Sequence, residues 1–203
     1  MRITILGSLA TFGLLPGITL GQELSYDWVE LRYVDTEIEA ASPFGNRDVD
    51  GDGFAVAGSL SLTEAFQLIG SYRDLAFDFD VDATAFTIGV GYRYPVARET
   101  DLVASLAYVS GEVDTVFGDA DDDGFELSAG LRSFVHDRVE VEGGVAYVDL
   151  DESGDDTSIF GTGRYWFNDE FAVGAGLAFG NDATTLTVSG RYSFGANLGR
   201  RPR

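Results

Sequence analysis

The chain has 203 residues, 13 of them basic and 34 acidic, for a formal net charge of −21, and it contains no cysteine. The length suits one domain, the missing cysteines exclude a disulfide framework and thiolate chemistry, and the acidity argues against a nucleic-acid partner.

Residues 1–21 carry one basic residue, Arg2, then an apolar run from Ile3 to Ile18 broken by Pro16, and close on Thr19-Leu20-Gly21. The pattern is that of a secretory signal cleaved near Gly21, and the run is short for a membrane-spanning helix. Beyond it no sufficiently long apolar run occurs, so only strands could cross a bilayer.

From there to residue 194, apolar residues recur at every second position in ten segments: 25–35, 53–62, 65–75, 83–94, 101–111, 124–135, 138–149, 157–167, 170–179 and 183–194. The second reads Phe54, Val56, Gly58, Leu60, Leu62 on one parity, and the fourth Phe86, Ile88, Val90, Tyr92, Tyr94. The last sets Leu186, Val188, Gly190, Tyr192 and Phe194 against Thr185, Thr187, Ser189, Arg191 and Ser193. About ten residues is the length of a tilted strand crossing the hydrocarbon core. The expectation is an all-β, antiparallel up-and-down transmembrane barrel over residues 22–194, with ten strands and eight as the alternative, followed by a short basic periplasmic tail over 195–203.

Connections after the even-numbered segments are tight, for instance His136-Asp137 and Asn168-Asp169, whereas those after the odd-numbered ones read as longer Asp-rich loops. Short turns face the periplasm and long loops face outward in such barrels. A soluble lipocalin-like barrel also alternates, but its exterior should carry abundant Lys and Glu. Here the polar parity is largely Ala, Gly, Ser and Thr, and no Lys occurs. Tyr33, Tyr72, Tyr94, Tyr108, Tyr147, Tyr165, Phe167 and Phe194 stand near segment ends, as interfacial girdles require.

The ten segments and the closing Gly190-Arg191-Tyr192-Ser193-Phe194 resemble the small single-chain outer-membrane β-barrels of Gram-negative bacteria. Within that group, Leu24-Ser25-Tyr26, Asp50-Gly51-Asp52-Gly53-Phe54 and Ile88-Gly89-Val90-Gly91-Tyr92 are similar to motifs of the plant-pathogen outer-membrane proteins proposed as quorum or immunity-activating factors. The resemblance implies residence in the outer membrane among lipid and lipopolysaccharide. It also implies a final strand read by the barrel-insertion machinery through Gly190, Tyr192 and Phe194, here followed by residues 195–203.

The inward parity collects Glu30, Arg32, Arg73, Arg93, Glu126, Arg132, Glu140, Glu142, Arg164 and Arg191. Charges inside a span must pair or sit in water, so a salt-bridge plug or a wet channel is implied. Arg93, Arg132, Arg164 and Arg191 are expected level with Glu140 and Glu142, low in the barrel. Asp48-Val49-Asp50-Gly51-Asp52-Gly53 and Asp119-Ala120-Asp121-Asp122-Asp123-Gly124 fit the first half of a calcium loop, which would give Asp48, Asp50, Asp52, Asp119, Asp121 and Asp123 a weak Ca²⁺ or Mg²⁺ affinity. The twelfth positions, Ser59 and Gly130, exclude an EF-hand. The one His, His136, falls in a tight turn, so no general base is in sight. The reading is a non-enzymatic monomer without a firmly bound cofactor, acting at the surface through acidic loops, or else a narrow, weakly cation-preferring pore.

Overall fold

Alternation of outward apolar and inward small or polar residues forces strands whose two faces meet different media, and closure into a ring leaves no unpaired edge in lipid. In the computed structural model, which describes residues 25–42, 45–78, 81–97, 99–116 and 118–194, ten strands do this. They are β1 (Trp28–Ser42), β2 (Gly45–Ser61), β3 (Phe66–Phe77), β4 (Val81–Ala97), β5 (Thr100–Thr115), β6 (Gly118–His136), β7 (Val139–Leu150), β8 (Gly154–Trp166), β9 (Phe171–Phe179) and β10 (Ala183–Ser193). Each pairs antiparallel with its sequence neighbour, and β1 closes the barrel on β10 from Trp28↔Ser193 to Ile38↔Ala183. Ten strands, not eight, form the ring. The expected signal at 1–21 and basic tail at 195–203 lie outside the described residues.

The strands overrun their expected ends chiefly at the rim away from the chain termini, with β4 also running on to Ala97 at the other. β1 continues to Ser42, β2 begins at Gly45 and β6 at Gly118, so the Asp-rich stretches read as loops are strand. The reason is a reversal of parity along each strand. In β1 the outward residues change from Val29, Leu31 and Tyr33 to Asp35, Glu37 and Glu39, while the inward ones change from Glu30 and Arg32 to Val34 and Ile38. A search for outward apolar residues therefore stops where lipid stops, although the strand does not.

The outward apolar band is bounded by aromatic pairs at both rims. Tyr33–Phe54 and Phe125–Tyr147, with ring centroids 5.7 and 6.3 Å apart, mark the far rim. Phe66–Tyr92 and Phe171–Tyr192, at 5.2 and 4.8 Å, mark the rim beside the chain termini.

Candidate functional site in the barrel lumen

Period-two geometry sends Glu30 and Arg32 of β1, Arg132 of β6, Glu140 and Glu142 of β7, Arg164 of β8 and Arg191 of β10 to the inside, where all seven are buried. They form one connected set. Glu30 accepts from Arg32 Nε at 2.6 Å, from Arg191 Nε at 2.6 Å and from Arg164 Nε at 3.3 Å. Arg132 grips Glu140 with Nε and Nη2, both at 2.7 Å. Arg164 Nη1 reaches Glu140 Oε1 at 2.9 Å and Glu142 Oε2 at 2.5 Å, so this guanidinium touches three carboxylates. Trp166 Nε1 donates to Glu140 Oε2 at 3.0 Å. Buried charges persist only where partners surround them, and forked Arg–carboxylate pairs are the strongest arrangement available.

Three of the ten inward charges stand apart from this set. Arg93, expected beside Glu140 and Glu142, lies at the terminal rim, where the register of β4 brings it under the β2–β3 turn. Its Nε donates to the Glu64 carbonyl, its Nη2 donates to the Thr63 carbonyl at 3.3 Å, and its Cζ sits 3.7 Å over the Tyr26 ring. Arg73 and Glu126 lie in each other's field on the opposite side of the set, with Arg32 the next charge felt by Arg73.

Below and above the charged layer are two apolar ones. At the terminal rim Tyr26, Phe134, Trp166 and Ala172 cluster, the Phe134 and Trp166 rings being 6.4 Å apart. Trp28 packs with Ala57 and Ile69, and Arg191 Cζ lies 3.9 Å over its ring. Tyr26 donates its hydroxyl to Asp101 Oδ2 at 3.1 Å, adding an inward carboxylate that the sequence reading passed over. At the far end Val34, Ile38, Leu75, Phe77, Val109, Val113, Val148 and Leu150 form a single core inside the barrel. Ile38, Phe77, Val113 and Leu150 each stand next to an acid, in stretches that the sequence reading left outside its strands.

The two calcium-loop motifs lie on β2 and β6 rather than in loops. Asp48, Asp50 and Asp52 are exposed on the outer face of β2, and Asp119, Asp121 and Asp123 on that of β6, so extended strands spread the carboxylates rather than converging them. The intervening Gly51 faces in, where an added Cβ would stand 2.3 Å from the Phe77 ring. Its role is to admit Phe77 to the core. Across β1 and β2, Asp35 faces Asp52, Glu37 faces Asp50 and Glu39 faces Asp48. On β5, loss of hydration and then the charge of and hydrogen bond to Asp119 raise the Asp114 carboxyl above its ordinary value. Asp122 points the other way. It accepts the amides of Glu152 and Ser153 at 3.0 and 2.7 Å, and although burial alone would raise it, bonds from Ser153 and these amides hold its carboxyl below the ordinary value. Among the described residues no three acids or histidines are grouped as a metal site.

A ring of strands with lipid outside and charge inside is one half of an identification, and the sequence supplies the other: the family described as outer membrane protein beta-barrel domain matches residues 17–179. The chain belongs to that family. Its place is therefore the outer membrane. Gly190, Tyr192 and Phe194 lie on the outward face of the closing strand and its end, near the rim beside the described chain ends.

Solved outer-membrane barrels are similar to the chain at low identity. The KdgM porin in complex with disordered oligogalacturonate is 11% identical at TM-score 0.45, covering 82% of this chain and 99% of its own. Ail, the attachment invasion locus protein of Yersinia pestis, is 12% identical at 0.44, covering 84% and 99%. The translocator domain of autotransporter NalP from Neisseria meningitidis is 11% identical at 0.49, covering 86% and 91%. No curated protein matches the sequence.

Proposed function

We propose that this outer-membrane barrel is a sealed, non-enzymatic structural and surface-interaction protein that holds an acidic β-walled extension above the lipopolysaccharide. One observation carries the reading: side chains occupy the lumen in three successive layers, and the outermost, built on Leu75, Phe77, Val109, Val148 and Leu150, is apolar. Ten strands enclose a lumen little wider than the eight-stranded kind that side chains fill. Water and ions would have to cross a dry layer and then a paired ionic one.

The outer face suits contact with cationic or cation-bridged partners. Asp35, Glu37, Asp50, Asp52 and Asp74 stand on adjoining strands above the Tyr33–Phe54 pair, a surface that repels anions and concentrates divalent cations from the medium. Rigid strands in place of loops keep it in one shape.

Planar-bilayer recording of the purified protein tests the proposal. The expected result is no steady current, and a large stable conductance, cation-preferring or otherwise, would replace the sealed barrel with a narrow diffusion pore.

A further inference from the structure

At the end away from the chain termini, the wall of strands drops at the β9–β10 turn. β9 stops at Phe179 and β10 begins at Ala183, whereas β8 starts at Gly154 and β1 runs to Ser42. β8 pairs with β7 up to Leu150↔Gly154 but with β9 only up to Ile159↔Phe179, so residues 154–158 have a strand on one side alone. β1 likewise passes its last β10 partner, Ile38↔Ala183. Both neighbours of the turn therefore rise above it, and the two strand positions between them amount to a gap of about 14 Å at the usual strand spacing.

The backbone meets this gap with a fixed pattern. Trp166 donates its amide to the Arg138 carbonyl on the β7 side. In an antiparallel strand the amide and carbonyl of one residue point the same way and the direction alternates, so Asp155 and Thr157 aim theirs into the gap. Their side chains are exposed on the outer face, with Asp151, Glu152 and Asp182 on the adjoining turns. Asp156 is buried on the inner face at the foot of the gap. Its Oδ1 accepts the Asn181 amide at 3.0 Å, while Oδ2 has no partner among the described residues. No Lys or Arg occurs in 149–157 or 180–185.

We propose that this open edge of β8 docks an extended, basic segment of a partner protein, which adds as an antiparallel strand where β9 would continue. The site rests on the surface-interaction reading above and gives it a partner chemistry. Main-chain bonds to Asp155 and Thr157 hold the segment, a basic residue opposite Asp155 pairs with it on the outer face, and a hydroxyl or cationic donor serves Asp156 Oδ2 on the inner one. The offered backbone groups repeat every second residue, which selects a strand rather than a helix.

The probe is a short, labelled, end-blocked peptide of alternating Lys and Thr, and the control is the same peptide N-methylated along its backbone, which keeps the charge and loses the amide donors. Anisotropy with the protein in detergent micelles should show saturable binding of the first peptide, and binding of the second weaker by about tenfold or more. Thr157→Pro removes an amide that faces the gap and spares the pairing with β7, so it should melt as the wild type does and lose the same factor. Asp155→Asn, which leaves the backbone untouched, should weaken binding and keep the preference for the unmethylated peptide. Equal binding of the two peptides, or unchanged binding in a folded Thr157→Pro, would overturn the edge site and leave the acidic surface standing. Binding of neither peptide at low salt would remove the acidic surface as a docking face as well.

Discussion

Arg132 and Glu140 meet through two parallel hydrogen bonds of 2.7 Å in a lumen where both side chains are fully shielded from solvent. The register explains the reach: Arg132 stands opposite Glu142 and Phe134 opposite Glu140, so the fork runs diagonally from β6 to β7 and leaves Glu142 to Arg164. Removing one partner strands the other in a low-dielectric interior, which costs about 3–5 kcal/mol. Arg132→Ala should therefore lower unfolding stability by that order, and Glu140→Gln, which keeps the shape and loses the charge, by less. Urea titration followed by tryptophan emission is the measurement, because the two tryptophans of the chain, Trp28 and Trp166, both lie in the lumen and Trp166 donates to Glu140. Equal stability of the wild type and Arg132→Ala would mean that the pair contributes nothing.

Neighbouring residues in the Asp-rich part of β2 should respond in opposite directions. Asp50 faces Glu37 on the wet outer surface, and like charges directly opposite each other destabilise a sheet. Asp50→Asn should raise the melting temperature slightly, by an increment that shrinks as salt is added. Gly51→Val should lower stability by about 1–3 kcal/mol, since its side chain intrudes on Phe77. Calcium at millimolar levels should stabilise as diffuse screening does, and Asp50→Asn should leave that response nearly unchanged. A stoichiometric calcium heat that Asp50→Asn abolishes would restore a specific site.

Asp122 gives the outer end a pH dependence. Its carboxyl is held below the ordinary value in the fold by the Ser153 and Glu152 donors, so the folded state binds the proton less readily than the unfolded one. The stabilisation is complete above the ordinary aspartate value of about 3.9 and is lost as pH falls from there through the depressed folded value. Amide exchange at Glu152 and Ser153 should accelerate across that window beyond the intrinsic pH effect. Asp122→Asn should flatten the response, and a wild type with constant protection down to strongly acid pH would contradict the latch.

The transmembrane part of the fold was legible because one physical signal, apolar alternation against lipid, repeats ten times and ends at aromatics. Glu30, Arg32, Arg132, Glu140, Glu142, Arg164 and Arg191 were placed inside by the same parity. What escaped was everything the reversal of parity conceals. Beyond Tyr33 the apolar residues of β1 are Val34 and Ile38 on the inner face, and a reader following Val29, Leu31 and Tyr33 meets Asp35 and concludes that the strand has ended. Arg93 was misplaced for a different reason. Parity gives the side of the sheet but not the height at which a long side chain finds its partner, and the carbonyls of Thr63 and Glu64 are invisible in an inventory of charged residues.

The apolar outer layer, not the ionic one, is expected to block conduction. At the periplasmic rim the floor is wettable. Gln67, fully buried beside it, finds no partner among the described residues for either amide atom, and Arg191 likewise finds none for its two Nη atoms. Buried polar groups of this kind are satisfied by water, and the nearest supply is the periplasm. The outer layer is drier: Leu75, Phe77, Val148 and Leu150 present only hydrocarbon to the lumen, and the buried Asp122 and Asp156 beside them accept backbone amides. Disrupting the ionic layer alone should thus hydrate the lower lumen without opening a path. Arg132→Ala and Arg164→Ala, singly or together, should lose stability and stay closed in planar bilayers. Adding Leu75→Ala, Phe77→Ala and Leu150→Ala to a background that still folds should produce discrete openings, and further loss of Glu140 and Glu142 should make these prefer anions, because Arg191 and Arg32 then dominate the constriction. Steady conductance from Arg132→Ala by itself would show that the ionic layer, not the apolar one, is the gate.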